Sequence, residues 1–370
     1  MKIERLSLFH LRMPLVAPFE TSFGRSTERE CLMIAVCADG LVGYGECAAD
    51  ASPGYSYETT GTAWHVLKDF VAPLLLGEEV RDAQDFQRRV QPIKGHLLAK
   101  AGVEMALWDL IGKREGLSLR TLLGGQRTRV AVGVSVGLQE TPDRLVQTVE
   151  RYLAQGYGRI KIKIKPGRDV EDAAAVRRAF PDILLQVDAN SAYSLETSHR
   201  LLPLDDLNLL LIEQPLAEDD LWDHARLQRE FRTPLCLDES IISLRHARQA
   251  LEMQACRVIN IKAGRVGGLS QALAIHALCQ EQGIPVWCGG MLETGVGRAS
   301  NLALASLENF RLPGDISASE RYYRRDITHE RFVLNPDSTI DVPDGPGLGV
   351  TVDEAALADF SLARLDLTPM

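Results

Sequence analysis

RIKIKIK (159–165), LLQVDAN (184–190), LLLIEQP (209–215), PLCLDES (234–240) and VINIKAG (258–264) decide the fold of this chain. Each holds a short apolar run that leads into a charged residue: Lys163, Asp188, Glu213, Asp238 and Lys262 in turn, spaced 25, 25, 25 and 24 residues apart. That period is one β-strand plus one α-helix. Recurrence at the same point of each unit puts the five residues at equivalent positions of one architecture. In a β/α barrel those positions are the C-terminal strand ends, where active sites are built.

Outward from this stretch the pattern continues. VAVGVSVG (130–137) precedes it and IPVWCGG (284–290) follows, giving seven strands separated by amphipathic stretches such as DVEDAAAVRRAF (169–180) and LSQALAIHALCQEQG (269–283). Alternation at one period predicts a parallel sheet, and seven strands in a row favour a closed barrel over an open sheet. LPGDISAS (312–319) falls at the eighth position. Residues 1 to about 60 read as strands, with a hairpin over CLMIAVCADGLVGYGEC (31–47) turning at Asp39-Gly40. Residues 58–123 read as helical: Leu98, Val103, Ala106, Leu107, Leu110 and Ile111 fall at helical spacing, and Gly116 fits a helix stop. Gly124-Gly125 marks a joint. The expected organisation is α/β, with an α+β unit over 1–125, a barrel over 126–320, and a segment, 321–370, that returns to the first unit.

The 370 residues are 45% hydrophobic and 25% charged, ordinary for a soluble protein of two domains. No apolar run approaches the roughly 18 residues of a membrane helix. The seven cysteines are odd in number and scattered, which fits reduced thiols and a cytoplasmic location. Net charge is −9 and no basic run occurs, so neither nucleic acid nor membrane is an expected partner. GRVGG (264–268) reads better as a tight turn than as a phosphate loop.

Period two puts Lys161 and Lys163 on one face of their strand and the isoleucines on the other. In a half-exposed sheet the lysines would be a solvated face. In a barrel the outer face packs on helices, so the isoleucines go outward and the lysines inward, where buried charge needs partners. Asp188, Glu213 and Asp238 are the available ones. Each carboxylate alone suits a helix cap, but the threefold recurrence points to a cation held among them. Oxygen-only ligands select Mg²⁺, with Mn²⁺ as a substitute, over zinc. None of the eight histidines lies at a predicted strand end. A carboxylate substrate on such an ion has an acidified α-proton. Lys163 and Lys262, on the second and sixth strands, face each other across the mouth as acid/bases, their pKa values drawn toward about 7 to 8 by the ion and by each other.

The KxK pair Lys161/Lys163, the VDAN, IEQP and LDES strands and Lys262 resemble the enolase superfamily, specifically its muconate-lactonising subgroup. NIKAGRVGG, PVWCGGMLETGVGRASNLALASL and LPGDISAS resemble the o-succinylbenzoate synthase/N-succinylamino acid racemase family within it. The seventh strand, VWCGG (286–290), lacks the histidine base of the mandelate-racemase subgroup. The resemblance implies a modified TIM barrel, (β/α)7β, under an N-terminal α+β capping domain, Mg²⁺ as cofactor, a small carboxylate as substrate, and a symmetric homo-oligomer, a dimer or octamer. It implies acid/base roles for Lys163 and Lys262 and metal ligation by Asp188, Glu213 and Asp238. It also implies supporting roles for Lys161, Asn190, Glu239 and Arg265, the last tuning Lys262. Phe19, Phe23, Tyr55, Ser135 and Met291 become pocket candidates, although residue type alone suits Phe19, Phe23 and Tyr55 equally to the cap core. The implied activities are N-acylamino acid racemisation and o-succinylbenzoate synthesis, with muconate cycloisomerisation and dipeptide epimerisation as neighbours. Asp315-Ile316-Ser317 breaks the Asp-x-Asp that epimerases carry. A lysine Schiff-base aldolase is the competing class. Two departures leave pocket shape open: Tyr322-Tyr323, and Arg168 where the family often has Trp.

Overall fold

The computed structural model describes residues 1–22 and 24–369. Three long antiparallel strands, β1 (Arg5–Thr21), β2 (Gly24–Ala38) and β3 (Leu41–Cys47), open the chain as a meander. The turn between β2 and β3 is Asp39-Gly40, with φ of 52° and 74°. Two successive positive φ values match the twist of a two-residue hairpin, and Asp-Gly tolerates them. Alternation divides the sheet cleanly. Leu6, Leu8, Leu32, Ile34 and Val36 are buried with Val103, Leu107 and Leu110. Phe9, Leu11, Met13, Cys31 and Met33 join the core that includes the barrel. Each such buried aliphatic side chain contributes about 2 kcal/mol, so the sheet is held from both faces.

Helices α1 (Thr60–Val66), α2 (Ala83–Val90), α3 (Leu97–Glu115) and α4 (Leu119–Leu123) follow. Helix α3 is buried nearly all round and stops at Gly116, φ 68°, as its sequence predicts. It lies so close to the sheet that a Cβ on Gly45 would meet the Gly102 carbonyl at 2.1 Å.

The predicted first barrel strand is split. β4 (Arg129–Ala131) pairs with a later strand, and only β5 (Val134–Val136) enters the barrel. The break at Gly133 admits the Arg159 guanidinium, which a Cβ there would meet at 2.5 Å. The barrel then runs β6 (Arg159–Lys163), β7 (Leu184–Asp188), β8 (Ile212–Glu213), β9 (Leu235–Leu237), β10 (Val258–Ile261) and β11 (Val286–Cys288), all parallel and in sequence order. Its helices are α5 (Pro142–Ala154), α6 (Val170–Ala179), α7 (Leu221–Glu230), α8 (Leu244–Glu252), the one-turn α9 (Ala263–Val266), α10 (Leu269–Glu281) and α11 (Gly295–Ala305). The unit after β7 has a 3₁₀ helix, Ser198–Asp206, interrupted by Pro203. GRVGG is more than a turn: Gly264–Val266 belong to the one-turn α9, which is capped by Gly267, φ 94°, and Gly268, φ 126°, caps the start of α10.

No strand forms over 312–319 among the described residues. Residues 310–315 close the barrel by isolated bridges, Phe310 to Val286 and Gly314 to Val132, with Asp315 N–H donating to the Cys288 carbonyl at 2.9 Å. Beyond them, β12 (Thr339–Asp341) covers β4, α12 (Glu354–Phe360) follows, and β13 (Ser361–Leu367) pairs with β1. The C-terminal segment thus returns to the first sheet. No helix among the described residues is long and apolar enough to cross a membrane.

Candidate active site

Parallel register sets the site. Lys163 stands opposite Asp188, and Asp188 opposite Glu213, so the three share one level and one face. Asp238 and Lys262 each follow their strand's last residue by one. Ile160, Ile162 and Ile164 turn outward into the core with Ala173 and Val176, which sends Arg159, Lys161 and Lys163 inward. Arg159 and Lys161 lie over the Trp287 ring, 5.6 and 4.9 Å from its centroid.

Every inward charge has a partner. Lys163 Nζ donates to Asp188 Oδ2 at 2.6 Å and to Asn190 Oδ1 at 2.7 Å. Lys161 Nζ reaches Asp315, Glu213 and Asp188 at 2.6, 2.9 and 3.1 Å. Lys262 Nζ donates to Asp238 Oδ2 at 2.8 Å and to the Tyr55 hydroxyl at 3.0 Å. Arg265 donates to Asp238 Oδ1, to Tyr55 at 3.0 Å and to the Asn260 carbonyl at 2.6 Å. Asn190, in the left-handed region at φ 42°, donates to Glu239 Oε1 at 2.8 Å.

These pairings set the charge states. Burial opposes ionisation of Asp188, but Lys163 and Lys161 outweigh it and hold the carboxyl below its usual range. Burial and the Asp188 charge push Glu213 up. Burial and Asp188 also push Glu239 up to about 7. Burial pulls Lys262 down, but Tyr55, Glu239 and Glu213 hold it above the ordinary lysine value.

As they stand, no three carboxylate, thiol or imidazole groups among the described residues are grouped to hold an ion. Lys161, Lys163, Lys262 and Arg265 take up their oxygens. The donor set itself fits a hard cation. It consists of buried carboxylates on three consecutive strands, and beside them the Glu239 Oε2 is buried without a hydrogen-bond partner. Carboxylates pushed up by one another mark a place short of positive charge.

Above the lysines lies a cavity of about 200 Å³. Phe19, Tyr55, Ser135 and Met291 line it, as do Lys161, Lys163, Asn190 and Lys262. Phe23 lies outside the described residues. Asp188, Glu213, Asp238, Glu239 and Arg265 sit beneath or beside this lining. Ser135 Oγ is buried and unpartnered. Tyr322 lines the cavity edge-on to Phe19, whereas Tyr323 turns away to donate to the Leu292 carbonyl at 2.5 Å. Arg168 is outside the cavity. It ties Asp172 at 3.0 Å to the Glu140 carbonyl at 2.9 Å.

Several functional neighbours lie outside the five charged strand ends. Asp315 anchors Lys161 and, at 2.7 Å, Arg159. Gln214, at φ 37°, accepts from the backbone N–H of Asp238 and Ser240 and so fixes the strand end that carries Asp238. Asn260 donates to Glu213 Oε1 at 2.8 Å. Asn260 and Lys262 are two apart on a visible strand, so inward alternation was available to find the first of these.

Residues 4–124 match the family described as mandelate racemase/muconate lactonizing enzyme, N-terminal domain, and residues 144–356 match enolase C-terminal domain-like. The chain is similar to an o-succinylbenzoate synthase of Geobacillus stearothermophilus, 52% identical over 97% of this chain and 96% of that one. It is also similar to an N-succinylamino acid racemase of Amycolatopsis sp., 48% identical over 99% of each. A crystal structure of an enolase superfamily member from Listeria innocua superposes with a TM-score of 0.95 at 42% identity, covering 100% of this chain and 99% of that one.

Proposed function

Because the chain belongs to the enolase superfamily, we propose that it removes the proton α to a carboxylate, racemising N-succinylamino acids, forming o-succinylbenzoate by syn dehydration, or both. The observation that carries this reading is the approach of two ammonium groups to one cavity, from β6 and from β10, with three carboxylate-bearing strand ends between them.

Enzymes of this superfamily generally use Mg²⁺, and here Asp188, Glu213 and Asp238 would hold it. When bound, the ion supplies positive charge where the substrate carboxylate gains negative charge. The chain's own residues do the rest. In racemisation one of Lys163 and Lys262 accepts the α-proton and the other returns one to the opposite face. In dehydration Lys163 removes the proton and then protonates the departing hydroxyl, while Lys262 stabilises the anion. Asn190 positions the Lys163 ammonium through Oδ1 and ties it to Glu239. Lys161, bound to Asp315, Glu213 and Asp188, keeps its charge and offsets theirs. The cap closes the cavity through Phe19 and Tyr55 and keeps bulk water from the carbanion.

The test is α-proton exchange of N-succinylphenylalanine in D₂O with Mg²⁺, beside dehydration of the cyclohexadiene precursor of o-succinylbenzoate. Turnover in either supports the reading; failure in both defeats it.

A further inference from the structure

Five cationic side chains line the cavity: Arg25, Arg29, Lys161, Lys163 and Lys262. Four are engaged. Arg29 donates to the carbonyls of Met291 and Ala48 and pairs with Asp50 at 3.2 Å, and the three lysines hold the carboxylates already described. The acids of the lining are engaged too. Besides Asp50, Glu58 accepts from the N–H groups of Leu98 and Ala99, and Asp315 is bound by Arg159 and Lys161. Arg25 alone of these charged groups has no hydrogen bond or ion pair among the described residues.

Its place in the fold gives that free charge a use. Arg25 is the second residue of β2, opposite Glu20 of β1, near the tip of the cap hairpin. The lysines rise from the barrel beneath. Arg25 also lines a second, wider groove of about 920 Å³, which carries six arginine or lysine side chains against three glutamates. This lip is therefore positive on a chain whose net charge is −9. A substrate whose α-carbon sits between Lys163 and Lys262 extends its far end toward the cap. An exposed, unpaired guanidinium there recognises an anion, and a planar fork suits a carboxylate.

We propose that Arg25 is a specificity-determining residue that binds the distal carboxylate of a dicarboxylic substrate, such as the free end of an N-succinyl group. The surrounding positive groove draws such substrates in. This inference rests on the reading of function given above, since that reading puts the α-carbon at the lysines.

The test compares binding of N-succinylphenylalanine with that of its terminal carboxamide, which has the same shape without the charge, by calorimetry on the Mg²⁺-loaded protein. The native protein favours the dicarboxylate by about five- to tenfold, and added salt shrinks the ratio. Arg25→Gln brings the ratio to about one, and Arg25→Lys restores most of it. A ratio of one in the native protein, or an unchanged ratio in Arg25→Gln, overturns the inference. A protein that discriminates through Arg25 but exchanges no α-proton keeps this inference and loses the proposed reaction. One that exchanges the proton but ignores the distal charge does the reverse.

Discussion

The β6 side of the barrel mouth and the β10 side offer the same group to the cavity, a lysine beside an aspartate, yet hold it differently. Lys163 is bonded wholly within the barrel, to Asp188 and Asn190. Lys262 shares its aspartate with Arg265 and reaches up to Tyr55 of the cap. One acid/base is bonded directly only to a strand-end aspartate and to the loop after β7. The other is positioned by strands, a guanidinium and a segment 207 residues earlier in the chain. The two lysines are equivalent in reach but not in what sets their geometry, so perturbing the cap should touch one and spare the other.

The largest effect comes from removing either lysine. Lys163→Ala and Lys262→Ala should each slow racemisation by about 10³-fold. In D₂O each variant should still exchange the α-proton of one enantiomer, opposite in the two, because the remaining lysine faces one side. Exchange of both enantiomers by either variant would break the comparison. Next comes the cap's seat on the β10 side. Glu104 of α3 is buried and accepts from the Ser270 N–H at the start of α10. Burial pushes its carboxyl up from 4.5 to about 7. A raised folded-state pKa means that its stabilising contribution is full below about 4.5 and lost as pH rises through 7, about 3 kcal/mol in all. Glu104→Gln should therefore flatten the fall in melting temperature between pH 5 and 8; a fall as steep as the native protein's would dismiss the argument.

Arg265→Gln should slow exchange of the enantiomer facing Lys262 by about 10- to 100-fold, because Asp238 Oδ1 loses its guanidinium partner, with a smaller effect on the other enantiomer. Equal effects on both would show the two sides to be coupled. The smallest change is Tyr55→Phe, which removes one hydroxyl from Lys262 and Arg265. About a fivefold loss, confined to the same enantiomer, is expected.

The barrel was legible because its signal is periodic. Five charged strand ends about 25 residues apart fix the strand order, and alternation within RIKIKIK fixes which side chains face in. What escaped has a physical reason in each case. VAVGVSVG reads as one strand, but Arg159 needs the space at Gly133 and β12 takes the first half. Seven bases of a repeat also invite an eighth, yet 312–319 makes bridges rather than a ladder. The roles of Arg25 and Asp315 were not legible because they depend on contacts, or their absence, between residues far apart in the chain.

The pairing of β1 with β13 joins Leu6 to Leu367. On the ribosome, therefore, the first strand emerges hundreds of residues before its neighbour exists. Until then β1 presents an open edge, with main-chain donors and acceptors free to pair with another nascent chain. The finished edge is safer, because β13 is largely exposed and carries Arg364 and Asp366. The barrel is able to form during synthesis before the sheet that roofs it is complete. A chain truncated after Phe360 would keep every group of the catalytic site and lose the strand that seals its roof.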